Sequence, residues 1–591
     1  MKKIFRAVTA LLLASSIALT ACSHSSTIKT KTSREEKFQN TASKDFHTLT
    51  DRLFKDVVSE SVLSVNSVLD NPKDFGITDY KYTLGDVTKA ESDKSTALMQ
   101  DYLTDFKQIN SEELSDKDKI VYDIITTDLD ESIDFSKYYL YTDYLSPLYG
   151  MPSSLPSYLG QFTFNQSDDV HDYIEILKLV PDYFDKIVTF QKTKTDAGIT
   201  MPDFEINEII DQCNEFVKDK DEHFLISTFN DRIKDTKGLS DSEKKKLKSE
   251  NKKIVTDEIF PAYEKLAKDM EQFKGKDSSE GGLCKYPDGS DYYEKLLRSE
   301  TGSTKTVSEL QELLTEKMYN DIQNISSYYQ QNPDIFNEKE EFSFDSTDPD
   351  AVLKYLIKNI KNDFPSGYET NYTINYVPKS MEKYESPAFY FIPQIDNTKI
   401  NNIFINNNDD YNYMSLYHVL AHEGFPGHMY QSTYFQNTNP DPIRSLFRYD
   451  GYVEGWGLYA ELYSYDISGN DESSNEFYKT ASMLSYDAYC LCDIGINYNG
   501  WDRTRTRTFL ATLGYDVNTS DQIFNSMIEN PCAYIKYYLG YLEIMDMRNR
   551  AESELGDNFD LKSFHKFILD IGPAQFEIIN SRFEKWLEDQ K

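Results

Sequence analysis

Long apolar runs and cysteine are scarce in this chain of 591 residues, and each shortage excludes a class of protein. The apolar run from residue 7 to residue 19 would rise about 20 Å as a helix, too little for a hydrocarbon core of about 30 Å, and no second run follows. Of the 6 cysteines only five follow Cys22, an odd number without the spacing of a disulfide scaffold. The chain is therefore neither a bundle of membrane-spanning helices nor a small domain stapled by disulfides.

Positive charge is also in short supply. The 63 basic side chains against 99 acidic ones give a net charge of −36, and no basic stripe interrupts the pattern. Such a charge repels phosphate backbones, so we expect no nucleic-acid partner, and it also biases the protein away from acidic peptides. With 39% hydrophobic and 14% aromatic residues, the chain nevertheless has ample material for a packed core.

The amino end has the pattern of an export signal. Basic residues precede the short apolar run, which ends in Leu19-Thr20-Ala21-Cys22 and resembles the bacterial lipobox. We predict that residues 1–21 are a lipoprotein signal peptide and that lipid on Cys22 anchors the mature chain outside the cytoplasmic membrane. An ordinary signal peptide cut near Ala21 is the alternative. Residues 22–44, rich in Ser, Thr, Lys and Glu, are predicted to be a flexible tether.

The remainder, residues 45–591, predicts a mainly α protein of one large unit, with two lobes as an option. Apolar residues recur at helical spacing over 53–69, 173–190 and 307–325. Thr306 with Glu309 forms a capping box, and Pro349 suits the first position of a further helix. The strand signal is confined to residues 389–392 and 403–405, which predict a small β-hairpin.

Three of the 8 histidines, His418, His422 and His428, lie within eleven residues. A zinc peptidase of the HExxH type needs two imidazoles on the metal and a glutamate beside the first one. His422 and Glu423 supply the first half of this motif, but the position of its second histidine is occupied by Pro426. The metal-binding pair is therefore not settled by the motif alone.

Helix geometry leaves two pairings open. At about 100° per residue, His418 and His422 lie about 40° apart on one face, whereas His422 and His428 would be about 240° apart on a continuous helix. Because Pro426 and Gly427 favour a break, His428 could turn back towards His422. The candidate pairs are thus His422 with His428, or His418 with His422.

A third ligand is available downstream. Glu454 and Glu461, seven residues apart, share one face of a helix that is otherwise aromatic and apolar. Carboxylates on such a face are costly to bury unless they meet a cation, which a metal would supply. Solvation, or an ion pair with Arg448, is the alternative explanation for these two glutamates.

The two motifs together, HExxPGH over 422–428 and EGWxxYxE over 454–461, resemble those of a large bacterial family of unknown function with a zinc-peptidase signature. The similarity extends over about residues 45–590. This family is similar at a distance to the gluzincin zinc peptidases and to the thermostable zinc carboxypeptidases. The resemblance implies a nearly all-helical, gluzincin-like fold with a deep cleft, and a β-hairpin or small sheet beside the active site.

The resemblance also implies roles for single residues. His422, His428 and Glu454 would hold a zinc ion, Glu423 would be the general base, and Glu461 would orient a ligand. Three further positions are implied to act on the substrate, although Tyr537 could merely pack and Arg548 could form a surface salt bridge. Tyr537 would donate to an oxyanion, Asn497 replaces a histidine that many relatives carry, and Arg548 would receive a peptide carboxylate.

We therefore expect an extracytoplasmic, membrane-anchored zinc metallohydrolase, in particular a peptidase that uses a metal-activated water. A lipid-anchored protein that binds peptides or a metal without turnover is the alternative from another class. A third interpretation makes the histidines ordinary core residues of a helical scaffold.

Overall fold

The computed structural model describes residues 40–591 except 219, 221–222, 278–280, 332–343, 345, 369–370, 378, 380–381, 383–385, 400 and 409–414. The predicted signal peptide, Cys22 and the tether up to residue 39 lie outside the described residues. Helices make up 71% and strands 3% of the described residues, which confirms the mainly α fold class.

The first α-helices of the described residues are α1 Thr41–Val58, α2 Val62–Val68, α3 Lys89–Lys107, α4 Asp116–Phe135, α5 Met151–Gln161, α6 Ser167–Asp196, α7 Asp203–Phe216, α8 Phe224–Arg232, α9 Asp241–Ile254, α10 Phe260–Met270, α11 Gly289–Thr301 and α12 Val307–Gln331. Then follow α13 Pro349–Asn359, β1 Tyr372–Tyr376, β2 Ala388–Phe391, β3 Asn401–Ile405, α14 Leu416–Glu423, α15 His428–Asn437 and α16 Asp450–Asp466. The chain ends with α17 Glu472–Asn497, α18 Arg503–Thr512, α19 Val517–Glu529, α20 Ala533–Leu555, α21 Leu561–Ile571 and α22 Phe576–Gln590.

Several predicted boundaries are confirmed. The Thr306–Glu309 capping box opens α12, since Glu309 N–H donates to the Thr306 hydroxyl and the Glu309 carboxylate accepts from Thr306. Pro349 is the first residue of α13. The single helical run over 53–69 is instead two helices, because Ser61 is extended and its side chain caps α2. Helix α1 begins at Thr41, so the last four residues of the predicted tether, 41–44, belong to the folded body.

The described residues bury three large apolar cores. One joins α1–α4, a second joins α5–α10, and the third and largest joins α11–α22 with the sheet. The first core includes Ile443 and the second includes Phe389, two residues from the segments around the later motifs. The amino-terminal helices therefore pack directly against the part of the chain that carries the candidate site.

The sheet has three strands in the order β1-β3-β2. The predicted hairpin is present as β2 antiparallel to β3, with Tyr390 opposite Ile403. Strand β1 runs parallel to β3 on its other side and was not predicted, because its pairing with β3 spans the intervening chain and none of its residues is fully buried. Strand β2 is therefore an edge strand, and its free edge faces α14 rather than another strand.

Helices α16 and α20 cross unusually closely through small residues. A Cβ on Gly540 would lie 1.8 Å from the carbonyl oxygen of Gly451, and a Cβ on Gly455 would lie 2.4 Å from the Gly540 backbone. No side chain fits between the two backbones at this point. This close packing fixes the position of α20 relative to α16, the helix that carries Glu454.

Candidate metal centre

The candidate site begins at the break between α14 and α15. Helix α14 ends at Glu423 and α15 begins at His428, with the Phe425-Pro426 peptide bond in the cis form between them. The turn is so tight that a Cβ on Gly427 would lie 1.7 Å from the His422 carbonyl oxygen. The break places the last turn of one helix beside the first turn of the next, as the Pro426-Gly427 pair predicts.

This break brings His422 and His428 together against Glu454 of α16. The Glu454 Oε2 atom lies 3.6 Å from His422 Nε2 and 3.3 Å from His428 Nε2. In a tetrahedral zinc site with bonds of about 2.1 Å, ligand atoms lie about 3.4 Å apart. Both distances from the Glu454 oxygen therefore match the separation that one shared zinc ion requires.

Unpartnered buried atoms point to the same conclusion. His428 Nε2 and Glu454 Oε2 are buried and accept or donate no hydrogen bond within the described part of the chain. Buried polar atoms without partners are rare and destabilising, and an ion that both contact would satisfy them. Helix α16 also leaves room for the imidazoles, because a Cβ on Gly457 would lie 2.6 Å from His422 Nε2 and 2.9 Å from His428 Cε1.

The other carboxylate oxygen of Glu454 faces a cation of the protein. Arg448 Nη2 donates to Glu454 Oε1 at 3.1 Å, and Arg448 Nε donates to Asp450 at 3.2 Å. Burial disfavours a charged Glu454, but His428, His422 and Arg448 outweigh it and hold the pKa of this carboxyl well below its usual value. The ion pair with Arg448, an alternative to metal binding in the sequence, thus coexists with the arrangement of ligands.

Glu461 contacts the far side of the first imidazole. Its carboxylate lies 3.2 Å from His422 Nδ1, a distance at which that nitrogen donates to Glu461 and leaves Nε2 as the ligand atom. Burial works against a proton on His422, but the neighbouring carboxylates of Glu454 and Glu461 raise the pKa of its imidazole to about 10. The spacing of seven residues therefore lets Glu454 face Nε2 of His422 while Glu461 contacts Nδ1 of the same ring.

His418 points into a different environment. Its Nδ1 lies 2.8 Å from the Ser464 hydroxyl, and its ring stacks on Tyr465 at 3.9 Å. Burial lowers the pKa of His418 to about 3. Of the two pairings that the sequence leaves open, the structure brings His422 and His428 together at Glu454.

Glu423 lies between the histidines and the sheet. It is buried, presents a carboxylate oxygen within 4.8 Å of ligand atoms of His422 and His428, and accepts a hydrogen bond from the Tyr390 N–H of β2 at 2.9 Å. Both Glu423 and His428 line a cleft of about 2660 Å³, whose wall includes Tyr390 and Arg448. The expected cleft is therefore present, with Glu423 and His428 in its wall.

Tyr537 of α20 also approaches the histidines. Its ring centroid lies 6.1 Å from that of His422. Burial first, and then the charge of Glu454, raise the pKa of the Tyr537 hydroxyl well above its ordinary value. Tyr537 therefore keeps its proton at neutral pH.

A chain of alternating charges continues from the ligands. Lys536 of α20 donates to Asp450 at 2.9 Å and lies 3.3 Å from Glu300, while Asp450 accepts from Arg448. Because every cation in the chain has an acid on each side, the buried charges near Glu454 are compensated. Sequence reasoning missed this chain and Tyr390, since the partners come from three elements far apart in sequence.

Two of the predicted substrate residues make hydrogen bonds within the protein. Asn497 is fully buried, donates to Asp493 and to the Met527 carbonyl oxygen, and accepts from the Leu283 N–H. Its amide is thus committed to the protein. Arg548 donates to the Tyr459 hydroxyl at 2.9 Å and to Glu552 at 2.8 Å, so its guanidinium group already binds two groups of the protein.

Fold and site together define a mainly helical protein with a buried His-His-Glu centre and a neighbouring glutamate at a helix break. The chain belongs to the family described as "Bacterial protein of unknown function (DUF885)", whose model matches residues 72–582. This confirms the family that the two sequence motifs indicate. No curated protein matches the sequence.

Two solved structures share the fold. A "putative lipoprotein" from Colwellia psychrerythraea is 17% identical, with a TM-score of 0.81 over 93% of this chain and 99% of that one. A "putative lipoprotein of unknown function" from Shewanella oneidensis is 18% identical, with a TM-score of 0.61 over 92% and 100% of the two chains. A "putative oligoendopeptidase F" from Bacillus anthracis is 12% identical over 87% of this chain and 98% of that one. Its TM-score of 0.28 is too low to show a shared fold. Within the described residues, no helix combines the length and apolarity that crossing a membrane requires.

Proposed function

We propose that this protein is a zinc metallopeptidase. The observation that carries the proposal is the convergence of His422, His428 and Glu454 around one point, with Glu423 directly beside it. Two imidazoles and one carboxylate are the ligand set of catalytic zinc sites that keep one position open. A purely structural zinc site has four protein ligands and needs no neighbouring base.

The residues of the site divide the work of hydrolysis among them. Bound zinc supplies the Lewis acidity that makes a water molecule acidic near neutral pH. Glu423 accepts the proton of the attacking water and later passes it to the leaving amine. Tyr537, which stays protonated, donates to the carbonyl oxygen as negative charge develops on it. Glu461 holds His422 in one orientation throughout.

The neighbourhood of β2 supports an extended peptide as the substrate. Residues Phe389 to Ile392 line the cleft, and β2 has no strand on its free edge. Because backbone groups alternate in direction along a strand, Tyr390 directs its N–H and C=O to the same free edge. A peptide that pairs with this edge would lie alongside Glu423, which already contacts the Tyr390 N–H.

The test of catalysis is Glu423→Gln. This change keeps the shape of the side chain but removes the base, so we expect zinc binding to persist while peptide hydrolysis falls by about 100-fold or more. Zinc content and the release of new amines from a peptide mixture are the measurements. Glu476→Gln, which removes only an exposed ion pair with Lys479, is the matched control.

Hydrolysis by Glu423→Gln at the parental rate would show that Glu423 is not the base. The second candidate function, a peptide-binding protein without turnover, predicts stoichiometric retention of peptide and no new amines from the parent. The presence of Glu423 beside the ligands favours catalysis, because capture alone has no use for a base there.

We also propose that the protein is an extracytoplasmic lipoprotein of the bacterial cell membrane. The lipobox-like residues ending at Cys22 support this, as do two structures of the same fold that are described as lipoproteins. Metabolic labelling with a fatty acid should mark the parent and not Cys22→Ser, and labelling of both would assign the lipid to another residue.

A further inference from the structure

A second group of buried oxygen atoms lies between α12, α17 and α20, away from the zinc ligands. Asp487 of α17 is fully buried, and neither of its carboxylate oxygens has a hydrogen-bond partner within the described residues. The same holds for Oδ2 of Asp321 on α12 and for the hydroxyl of Tyr538 on α20. Four unpartnered oxygens therefore come from three different helices.

These oxygens belong to one group. Asp487 is close enough to Asp321 and to the Tyr538 hydroxyl for both to act on its carboxyl group, yet none of these oxygens has a partner with full hydrogen-bond geometry within the described residues. Tyr538 stacks on Tyr486, the residue before Asp487, at 5.4 Å. The oxygens are thus neighbours without a well-formed hydrogen bond among them.

Leaving four buried oxygens unpartnered would be costly. Each buried oxygen that loses water without gaining a partner costs on the order of 1–3 kcal/mol, and such atoms in native proteins generally mark a bound water or ion. Water could serve the Tyr538 hydroxyl, but it would leave two carboxylates facing each other. A cation, which attracts oxygen ligands on all sides, fits the arrangement better than water does.

Charge counting indicates what that group is. The ammonium of Lys317 lies 6.0 Å from the ring centroid of Tyr538 and forms no ion pair with Asp321 or Asp487. With both carboxylates ionised, the three charged side chains sum to −1. One monovalent cation would neutralise the group, and carboxylate and hydroxyl oxygens are ligands that hard cations prefer.

We propose that Asp487, Asp321 and Tyr538 form a binding site for a hard cation, with a monovalent ion favoured by the charge balance. The competing arrangement is a proton shared between the two carboxyl groups. Burial and the neighbouring Asp321 raise the pKa of Asp487. A raised pKa favours the protonated carboxyl group, which is the state expected when no cation is bound. The two arrangements differ in whether stability follows the concentration of a salt cation.

The position of this site gives it a consequence for the zinc centre. Tyr538 follows Tyr537, so an ion at Tyr538 would fix the same turn of α20 that presents Tyr537 to His422. Cation binding would therefore restrict the motion of α20 at the turn where Tyr537 approaches the zinc centre and Tyr538 belongs to the cation site.

The experiment measures thermal unfolding of the zinc-saturated protein in KCl, NaCl, CaCl₂ or MgCl₂, with choline chloride keeping ionic strength constant. We expect the midpoint of the parent to rise by about 2 °C or more between 1 and 100 mM of one of these cations. Asp487→Asn, which mimics a protonated carboxyl, should lose this rise. Zinc saturation keeps the added cation out of the His422 site.

Asp493→Asn is the matched control. Asp493 is a buried aspartate of the same helix whose oxygens accept from Tyr293, Asn497 and Cys532, so its change should lower stability but leave the cation-dependent rise intact. If Asp487→Asn does not fold, Asp321→Asn and elemental analysis of the dialysed parent give the same answer.

A parent whose midpoint does not respond to any of the four cations would overturn the site in favour of the shared proton. Retention of the full rise by Asp487→Asn would overturn it equally. Neither outcome bears on the zinc centre, whose failure would appear as absent zinc or absent hydrolysis in the parent.

Discussion

Glu454 divides its two carboxylate oxygens between different partners. Oε2 faces the two histidines, and Oε1 accepts from Arg448. A carboxylate that also pairs with a cation donates less electron density to a metal and is a weaker ligand. Arg448 is therefore expected to lower the metal affinity of the site. Asp450 draws the Arg448 side chain in the opposite direction through Nε, which limits this effect.

Glu461 offers the sharpest prediction at the scale of a single residue. Glu461→Gln removes the negative charge next to His422 Nδ1 while keeping a group that can accept its hydrogen. Because such an outer carboxylate fixes the ring and raises the basicity of the ligand nitrogen, zinc affinity should fall by about 10- to 100-fold. Competition with a chelator of known affinity measures the change.

The control for Glu461→Gln is Glu472→Gln, in the first turn of the neighbouring helix α17. An unchanged zinc affinity in Glu461→Gln would mean that the contact at 3.2 Å has no part in metal binding.

Single residues also mark where prediction from sequence ended. The ligand candidates could be predicted because their chemistry is rare in this chain and their spacing is short. The partners of Asn497 and Arg548 could not be predicted, because the same residue types serve substrates and the protein interior equally well. Their partners, the Met527 carbonyl and the Tyr459 hydroxyl, are set by tertiary packing.

Among the elements, the crossing of α16 and α20 links ligands to the proposed donor. Gly540→Ala would place a methyl group where only 1.8 Å is available, and would push α20 away from α16. Overpacking of this kind costs about 1–3 kcal/mol of stability. Since Tyr537 lies on α20 and the ligands do not, turnover should fall more than zinc affinity.

Leu555→Ala provides the comparison for Gly540→Ala. It removes a buried side chain at the far end of α20 and should cost about 2–5 kcal/mol of stability without changing turnover per folded molecule. Equal losses of zinc affinity and turnover in Gly540→Ala would contradict a separate role for α20.

The elements themselves were largely predictable where their ends carry local signals. The capping box at Thr306 and the proline at 349 mark helix starts by contacts within four residues. Strand β1 could not be predicted, because its pairing with β3 depends on a crossover of the intervening chain. The close crossing of α16 and α20 was equally invisible, since it joins glycines about 90 residues apart in sequence.

At the scale of the whole molecule, the amino-terminal helices hold the segment before α16. His47 of α1 contacts Asp441 at 3.2 Å and Asp118 of α4 at 3.4 Å. The Asp118 and Asp441 hydrogen bonds raise the pKa of His47 to about 10, against the opposing effect of burial. Asp441 begins the turn that leads to Arg448, so this ion pair links the first core to the surroundings of the proposed zinc ligands.

The raised pKa gives a prediction with a definite sign. The stabilisation from charged His47 is complete below its unfolded value of 6.5 and is lost as the pH rises towards about 10. His47→Gln should therefore lower the free energy of unfolding by about 1–3 kcal/mol at pH 6, allowing for partial exposure, and by little at pH 10. Urea unfolding at the two pH values measures this difference.

His171→Gln, a change at an exposed histidine of α6, is the reference for His47→Gln. A loss of stability in His47→Gln that is the same at both pH values would assign the effect to packing rather than to charge.

The indole of Trp456 has a consequence for how the molecule can be observed. Its Nε1 donates to the Pro426 carbonyl oxygen at 2.9 Å, so this fully buried ring is tied to the break that brings His428 to His422. The chain has only 3 tryptophans, and the other two lie at position 501, before α18, and at position 586, in α22. Trp456 is therefore a built-in fluorophore, and its emission follows the geometry between the two motifs without any added label.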